Sequence, residues 1–212
     1  MKVLFVDSKL SGHHLSYLKK LSSSDIVTPV FYLPEKSDVL NGLQIIMKDN
    51  PNSFSGYLRW IKEIARIAKE NKVDLVHFVY GDVLYKGFGI GLNLLEGHKI
   101  IATFHQVRRS YLRDLSRKII LRKINSGVVH TEVLNKYFKT LGNTQIHHID
   151  YPQFNSPTDV QRKKAQDYFS IPEGPLTFLA LGGTREDKGL DILLDAFARI
   201  DPDLSFHLLI AG

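Results

Sequence analysis

The chain has 212 residues, more than one minimal domain of about 100 to 150 residues and fewer than two full ones. Hydrophobic residues make up 43% of it and charged residues 24%, with 15 Gly and 8 Pro near ordinary usage, which excludes disordered, collagen-like and low-complexity classes. The absence of cysteine removes disulfide scaffolds, thiolate zinc sites, iron–sulfur clusters and cysteine nucleophiles, and a net charge of +6 favours anionic partners without choosing among phosphates, nucleic acid and lipid headgroups.

Short runs rich in β-branched and aromatic residues alternate with stretches of helical period, the pattern of parallel βαβ units. In chain order, strands are predicted at 2–7, 27–33, 74–79, 99–104, 127–130 and 145–149, with helices at 12–21, 54–71, 82–95, 111–125 and 132–140. That is a doubly wound, Rossmann-like parallel sheet over residues 1–150. The first apolar run meets Asp7 far short of a signal-peptide core, and nowhere do about eighteen apolar residues run together. Neither secretion nor a membrane span is expected; a cytoplasmic place is, with a peripheral position at the inner membrane face left open.

The turn after the first strand, from Asp7 to His14, carries Gly12, where the backbone can come close to a ligand. His13 and His14 are adjacent, so their side chains point apart, and without a partner four residues on or a nearby carboxylate they predict no metal site. In the helix at 54–71, Tyr57, Ile61, Ile64, Ala65 and Ala68 form one apolar stripe. The run Gly87-Phe88-Gly89-Ile90-Gly91 imitates a dinucleotide fingerprint, but the third glycine position is Leu92. These glycines are read instead as letting a helix pack tightly on the sheet.

His105 follows the strand at 99–104, at the carboxyl edge where open α/β sheets bind ligands; the plainer alternative is a capped or surface histidine. From 105 to 123 the chain places Arg108, Arg109, Arg113, Arg117, Lys118, Arg122 and Lys123 against Asp114 alone, with Leu112, Leu115, Ile119 and Ile120 on one helical side. A basic amphipathic helix of this kind suits an anionic membrane surface. It equally suits packing on the sheet with a solvated basic face, or an acceptor carrying a lipid diphosphate. Nucleic acid is not expected, because no aromatic interleaving or recognition motif accompanies the arginines.

Residues 151–175 are proline-rich and read as a linker that could hold one short charged helix around Arg162–Asp167. A strand at 176–181, a helix at 189–200 and a strand at 205–211 then make one βαβ unit. Some forty residues bury too little apolar surface to stand alone, so residues 176–212 are expected to open a further, truncated domain, to dock, or to pair with a second copy as a homodimer. Between strand and helix, Gly182-Gly183 lets the backbone approach a ligand, while Arg185 and Lys188 stand before a helix N-terminus. Arginine forks, lysine point charges and a positive helix end together suit a diphosphate. The plainer reading is a loop with two solvated basic residues.

The stretch from Leu176 to Gly212, with its Arg-x-x-Lys-Gly turn, resembles the opening of the second domain of retaining family-four glycosyltransferases of the two-Rossmann-domain (GT-B) type. Residues 73–80, the Thr103-Phe104-His105 end of 99–107, and residues 128–138 resemble segments of that family's first domain. The resemblance implies an acceptor-side domain followed by the start of a nucleotide-sugar-binding domain. It puts Gly12, Gly183, Arg185 and Lys188 on the donor and His105 against the transferred sugar in the catalytic site. It places Arg108, Arg109, Arg113 and Arg117 on an acceptor or membrane patch. It further implies a nucleoside-diphosphate sugar as substrate, a glycan or lipid-linked acceptor, a role in cell-surface polysaccharide synthesis, and no cofactor or metal. Ser11 stands where similar enzymes carry a glycine, and their glutamate pair lies beyond Gly212, so the chain alone is expected to be inactive. The competing reading is a non-catalytic phosphate- or sugar-binding module, or a membrane-surface module.

Overall fold

A strand of a parallel sheet is covered on both faces and must therefore be apolar almost throughout. KVLFV, TPVFYL and LVHF meet that requirement, and they form the middle of the sheet. The computed structural model describes residues 1–10, 13–105, 110–142, 144–150, 158–182, 188–201 and 203–211. It divides into two units, Met1–Gln153 and Phe154–Gly212.

In the first unit β1 (Lys2–Val6), α1 (His13–Ser22), β2 (Thr28–Leu33), β3 (Leu43–Ile46), α2 (Phe54–Glu70) and β4 (Leu75–Phe78) are followed by two 3₁₀ segments, Gly81–Gly87 and Leu92–Leu95. Then come β5 (Lys99–Phe104), α3 (Tyr111–Leu121), β6 (Ser126–Val129), α4 (Glu132–Lys139) and β7 (Gln145–His148). The seven strands are parallel, in the order β3-β2-β1-β4-β5-β6-β7, so the fold is the expected Rossmann-like α/β sheet. From β1 the chain winds outward through β2 and β3, then returns to β4 and winds the other way. The crevice between the carboxyl ends of β1 and β4 is the switch point of the sheet.

Alternation along β1 sends Val3 and Phe5 to one face and Leu4 and Val6 to the other, and each face has its own core. Trp60, Ile61 and Ile64 of α2 pack with Phe78, Phe104 and Phe138 on one side; Leu18 of α1 packs with Phe31 and Leu33 on the other. The hydroxyl of Ser53 caps α2 by accepting from the Gly56 amide at 3.0 Å. Ser53→Ala is expected to cost about 1 kcal/mol, measurable by urea unfolding.

The structure departs from the sequence reading at three points. The strand β3 is absent from the sequence reading because four edge residues, half of them exposed, are too few to declare a two-residue period. The helix expected at 82–95 is two 3₁₀ segments instead. Phe88, Gly89 and Gly91 all take positive φ (50°, 62° and 85°), which breaks the α ladder between them. Nor does Gly87 serve helix-on-sheet packing: a Cβ there would stand 2.0 Å from the Tyr57 ring of α2. Gly87→Ala should therefore lower stability by about 1 to 3 kcal/mol through overpacking, read as a drop in melting temperature.

The second unit holds α5 (Asp159–Tyr168), β8 (Leu176–Leu181), α6 (Leu190–Phe197) and β9 (Phe206–Ala211). Thr158 and Gln161 form a reciprocal capping box, so the proline-rich segment does contain a helix. β8 and β9 pair in parallel, and Phe197 of α6 meets Phe178 and Phe206 edge-on at 5.2 and 5.1 Å. Leu179, Leu181 and Ile192 remain exposed, as a short βαβ unit requires. Among the described residues no helix is long and apolar enough to cross a membrane.

Candidate functional site

The first unit builds its site at the switch point. Asp7 ends β1 with its carboxylate buried, and both oxygens are used: Oδ1 accepts from the Lys9 amide at 3.1 Å and Oδ2 from His14 Nδ1 at 2.8 Å. A carboxylate only accepts, so the His14 proton sits on Nδ1. This pairing shapes the β1–α1 turn and holds Lys9 at the rim. Next to it, after β4, Tyr80 lies between His14 (5.2 Å) and His105, on which it stacks at 5.1 Å and 16°.

His105 stands at the end of β5, as expected, half-buried. Its amide donates to Asp82 Oδ2 at 2.8 Å and its Nε2 donates to the Val79 carbonyl at 3.0 Å, which fixes both the ring and its tautomer. His130, after β6, lies 5.3 Å from it, and Tyr17 of α1 meets both imidazoles edge-on at 6.3 and 5.1 Å. His130 Nδ1 donates to the Ile149 carbonyl at 2.8 Å, and burial holds its pKa below the ordinary imidazole value. The loop ends of four adjacent strands thus converge on one cluster of rings.

Beside this cluster opens a cleft of about 540 Å³. Its floor and rim include Tyr80, Asp82, Lys9, Lys86, Arg113 and Arg117. His105 stands just behind this lining, attached to it through Tyr80 and Asp82.

Arg117 departs from the sequence reading. The expected apolar side of α3 was Leu112, Leu115, Ile119 and Ile120, but the buried residues are Ser116, Arg117, Ile120 and Leu121, while Leu112 and Leu115 are exposed. The helix is turned so that the Arg117 guanidinium, only 1% exposed, lies over the Tyr85 ring at 4.8 Å and the Tyr137 ring at 5.3 Å. It donates to Asp114 Oδ1 at 3.0 Å and to the Tyr137 hydroxyl at 2.8 Å, and that hydroxyl donates in turn to Asp114. Cation–π contacts and a paired carboxylate offset the desolvation that would otherwise forbid this burial. Arg117 is therefore a cleft residue and cannot face a membrane. Arg113 is exposed and also lines the cleft; Arg108 and Arg109 lie outside the described residues.

In the second unit Lys188 is exposed and stands directly before α6, whose N-cap is Gly189 in the left-handed region (φ 65°). Gly182, after β8, has φ 137°, a backbone open to glycine and little else. Leu181, Gly182, Lys188, Gly189, Leu193 and Ile210 line a hollow of about 470 Å³. Gly12, Gly183 and Arg185 lie outside the described residues.

The residues that sequence reasoning passed over are Asp7, Tyr80, Asp82 and His130. Each follows a strand within four residues, the signal that singled out His105.

No family model matches the sequence, and no curated protein does. Among solved structures, the whole chain overlays 60% of a glycosyltransferase from Rickettsia africae with a TM-score of 0.71 at 19% identity. It overlays 62% of a sucrose-phosphate synthase from Thermosynechococcus elongatus with a TM-score of 0.74 at 15% identity. It also overlays, again over its full length, 62% of MnaA of S. aureus solved with UDP, with a TM-score of 0.59 at 12% identity. The chain thus spans about three-fifths of the length of these structures. The likeness is one of fold, and the first unit has the architecture of the N-terminal domain of GT-B proteins.

Proposed function

We propose that the chain is the acceptor-side domain and the beginning of the donor domain of a retaining glycosyltransferase of the family-four type. The complete protein would transfer a sugar from a nucleoside-diphosphate donor to a hydroxyl, without metal or cofactor, in cell-surface polysaccharide synthesis. The observation that carries this reading is Lys188 with Gly189 at the opening of α6, the helix that follows the parallel strand β8 in the chain, in a chain that overlays glycosyltransferases along its whole length. The fold likeness to a protein solved with UDP supports a nucleotide donor.

On this reading departure of the nucleoside diphosphate develops negative charge beside α6. Lys188, with Arg185, would stabilise it alongside the positive end of the helix. His105, locked by Asp82 and Val79, would orient the transferred sugar. The test is to supply the complete natural protein with a panel of nucleoside-diphosphate sugars and hydroxyl acceptors, following nucleoside-diphosphate release and the anomeric configuration of the product by NMR. Release with retention is expected. No release with any donor would remove the enzymatic reading, and inversion would remove the family-four one.

The outward side of α3 supports peripheral membrane contact. Tyr111, Leu112 and Leu115 are exposed beside the exposed Lys118 and Arg122. Such a face would bind anionic vesicles and release them as salt rises to about 0.5 M, where the Debye length falls well below 10 Å. Leu112→Glu should weaken vesicle co-sedimentation, and an unchanged salt profile would exclude this face.

A further inference from the structure

We infer that the switch-point cleft of the first unit takes a phosphate-bearing sugar, so that the acceptor of the proposed transfer is anionic. That it is an acceptor rests on the glycosyltransferase reading; that the cleft binds a sugar phosphate does not.

Among the described residues, Lys9, Lys86, Arg113 and Arg117 line one cleft with Asp82 as its carboxylate. That carboxylate is engaged by the His105 amide, and Asp114 balances the buried Arg117 at 3.0 Å. The remaining three cations reach the cleft from different elements: Lys9 from the turn after β1, Lys86 from the first 3₁₀ segment, Arg113 from α3. Lys86 is positioned by the Pro51 carbonyl at 3.2 Å and the Asn52 side chain at 3.4 Å. The backbone behind them is tied together as well, since Ser116 of α3 donates to the Tyr85 carbonyl at 3.3 Å.

A set of cations held at one concavity costs mutual repulsion, which an anion relieves. Arg117, paired with Asp114 and held over the Tyr85 ring, forms the back wall of the cleft without adding net charge, so the attraction for an anion comes from Lys9, Lys86 and Arg113. A nucleic-acid groove would spread its charge along a surface; here it converges on a pocket of about 540 Å³, the size of a small-molecule site. Ser8, Asn50 and Asn52 supply hydroxyl and amide groups at the wall that carries the cations, while Tyr80 and Tyr85 are packed against His105 and under Arg117 and give the wall its rigidity. Hydroxyl and amide groups suit the hydroxyls of a sugar ring, and convergent lysine and arginine suit a phosphate. The chemistry is that of a phosphosugar, presented either as a soluble sugar phosphate or as the headgroup of a lipid-linked diphosphate.

The experiment titrates the 212-residue chain with glucose 1-phosphate and, separately, with uncharged methyl glucoside, by calorimetry. Glucose 1-phosphate is expected to bind and methyl glucoside to bind at least about tenfold more weakly. Arg113→Ala and Lys86→Ala, both at exposed positions and safe for folding, should each weaken glucose 1-phosphate by about five- to tenfold. Lys62→Ala, on the exposed side of α2, should leave it unchanged. Isoprenyl diphosphate in phosphatidylcholine vesicles then separates the two sources. Capture of these vesicles that is lost in Arg113→Ala points to a lipid-borne headgroup, and binding of the soluble sugar phosphate alone points to a free one. Failure of glucose 1-phosphate to bind, or binding that Arg113→Ala and Lys86→Ala leave intact, overturns the inference. Binding lost only in Lys188→Ala would assign the phosphate to the second unit, which overturns the cleft while leaving the donor reading in place.

Discussion

In the complete natural protein, Lys188→Ala is expected to slow sugar transfer by several-fold to a thousand-fold, roughly 1 to 4 kcal/mol of transition-state stabilisation. The ammonium of Lys188 stands exposed just before Gly189, the N-cap of α6, so it adds a point charge where the helix already presents unpaired amides. Charge on a leaving diphosphate grows as the bond to the sugar breaks, so the loss should fall on kcat more than on KM. Lys188→Arg should recover part of the rate, because the charge remains while the fork replaces the compact ammonium. An exposed side chain of this kind contributes little to folding, and the melting temperature should barely move. A wild-type rate in Lys188→Ala would remove this residue from the donor site. A fall in melting temperature matching the loss of rate would make the effect structural.

The sheet was legible because its signal is redundant. β5 falls where expected, at Lys99–Phe104, and the stripe of Tyr57, Ile61 and Ile64 points into the core that the periodicity promised. The first rests on a nearly continuous apolar run, the mark of a strand buried on both faces, and the second on the spacing of a helix with one buried face. The edge strand β3 and the Gly87–Gly91 junction were not legible, since the first lacks the length for a period and the second depends on positive backbone angles at Phe88, Gly89 and Gly91 and on close approaches to Tyr57, Ile61 and Ile120 from two other helices. The site divides in the same way. His105 was visible from its place after a strand. Arg117 was misplaced because hydropathy sends an arginine outward, whereas Tyr85, Tyr137 and Asp114, spread over three elements, supply the cage that draws it in. The Asp7–His14 pair was hidden for a related reason. Reading His13 and His14 as neighbours asked whether they share a metal, while the chain uses His14 to brace the turn with a buried carboxylate.

Stability should fall as the pH drops from about 6.5 to 4, and His77 should account for about 3 kcal/mol of that fall. His77 lies in β4, in the middle of the sheet and only 7% exposed, with Nε2 2.8 Å from Thr103 Oγ1. Burial, reinforced by His105 and His130 nearby, pushes its pKa down to about 4 from an unfolded value near 6.5. Above pH 7 neither state binds the proton and the group contributes no pH dependence. Between 6.5 and 4 the unfolded chain takes up a proton that the folded one refuses, so each unit of acidification favours unfolding by up to about 1.4 kcal/mol. Below 4 both states are protonated and the loss is complete. The depressed pKa of His130 acts in the same direction. Trp60 is the one tryptophan and is fully buried in the core of the first unit, so its fluorescence in urea reports this unit alone. His77→Gln keeps a hydrogen-bonding group near Thr103 but cannot titrate. Its unfolding free energy should therefore start lower at pH 7, for the altered packing, and then fall with acid less steeply than wild type, by about 3 kcal/mol less between pH 7 and pH 4. Parallel curves for the two proteins over that range would place the acid sensitivity elsewhere. A shallower fall in the variant would mean that the His77 imidazole stays neutral while the protein is folded and gains its proton only as the sheet opens.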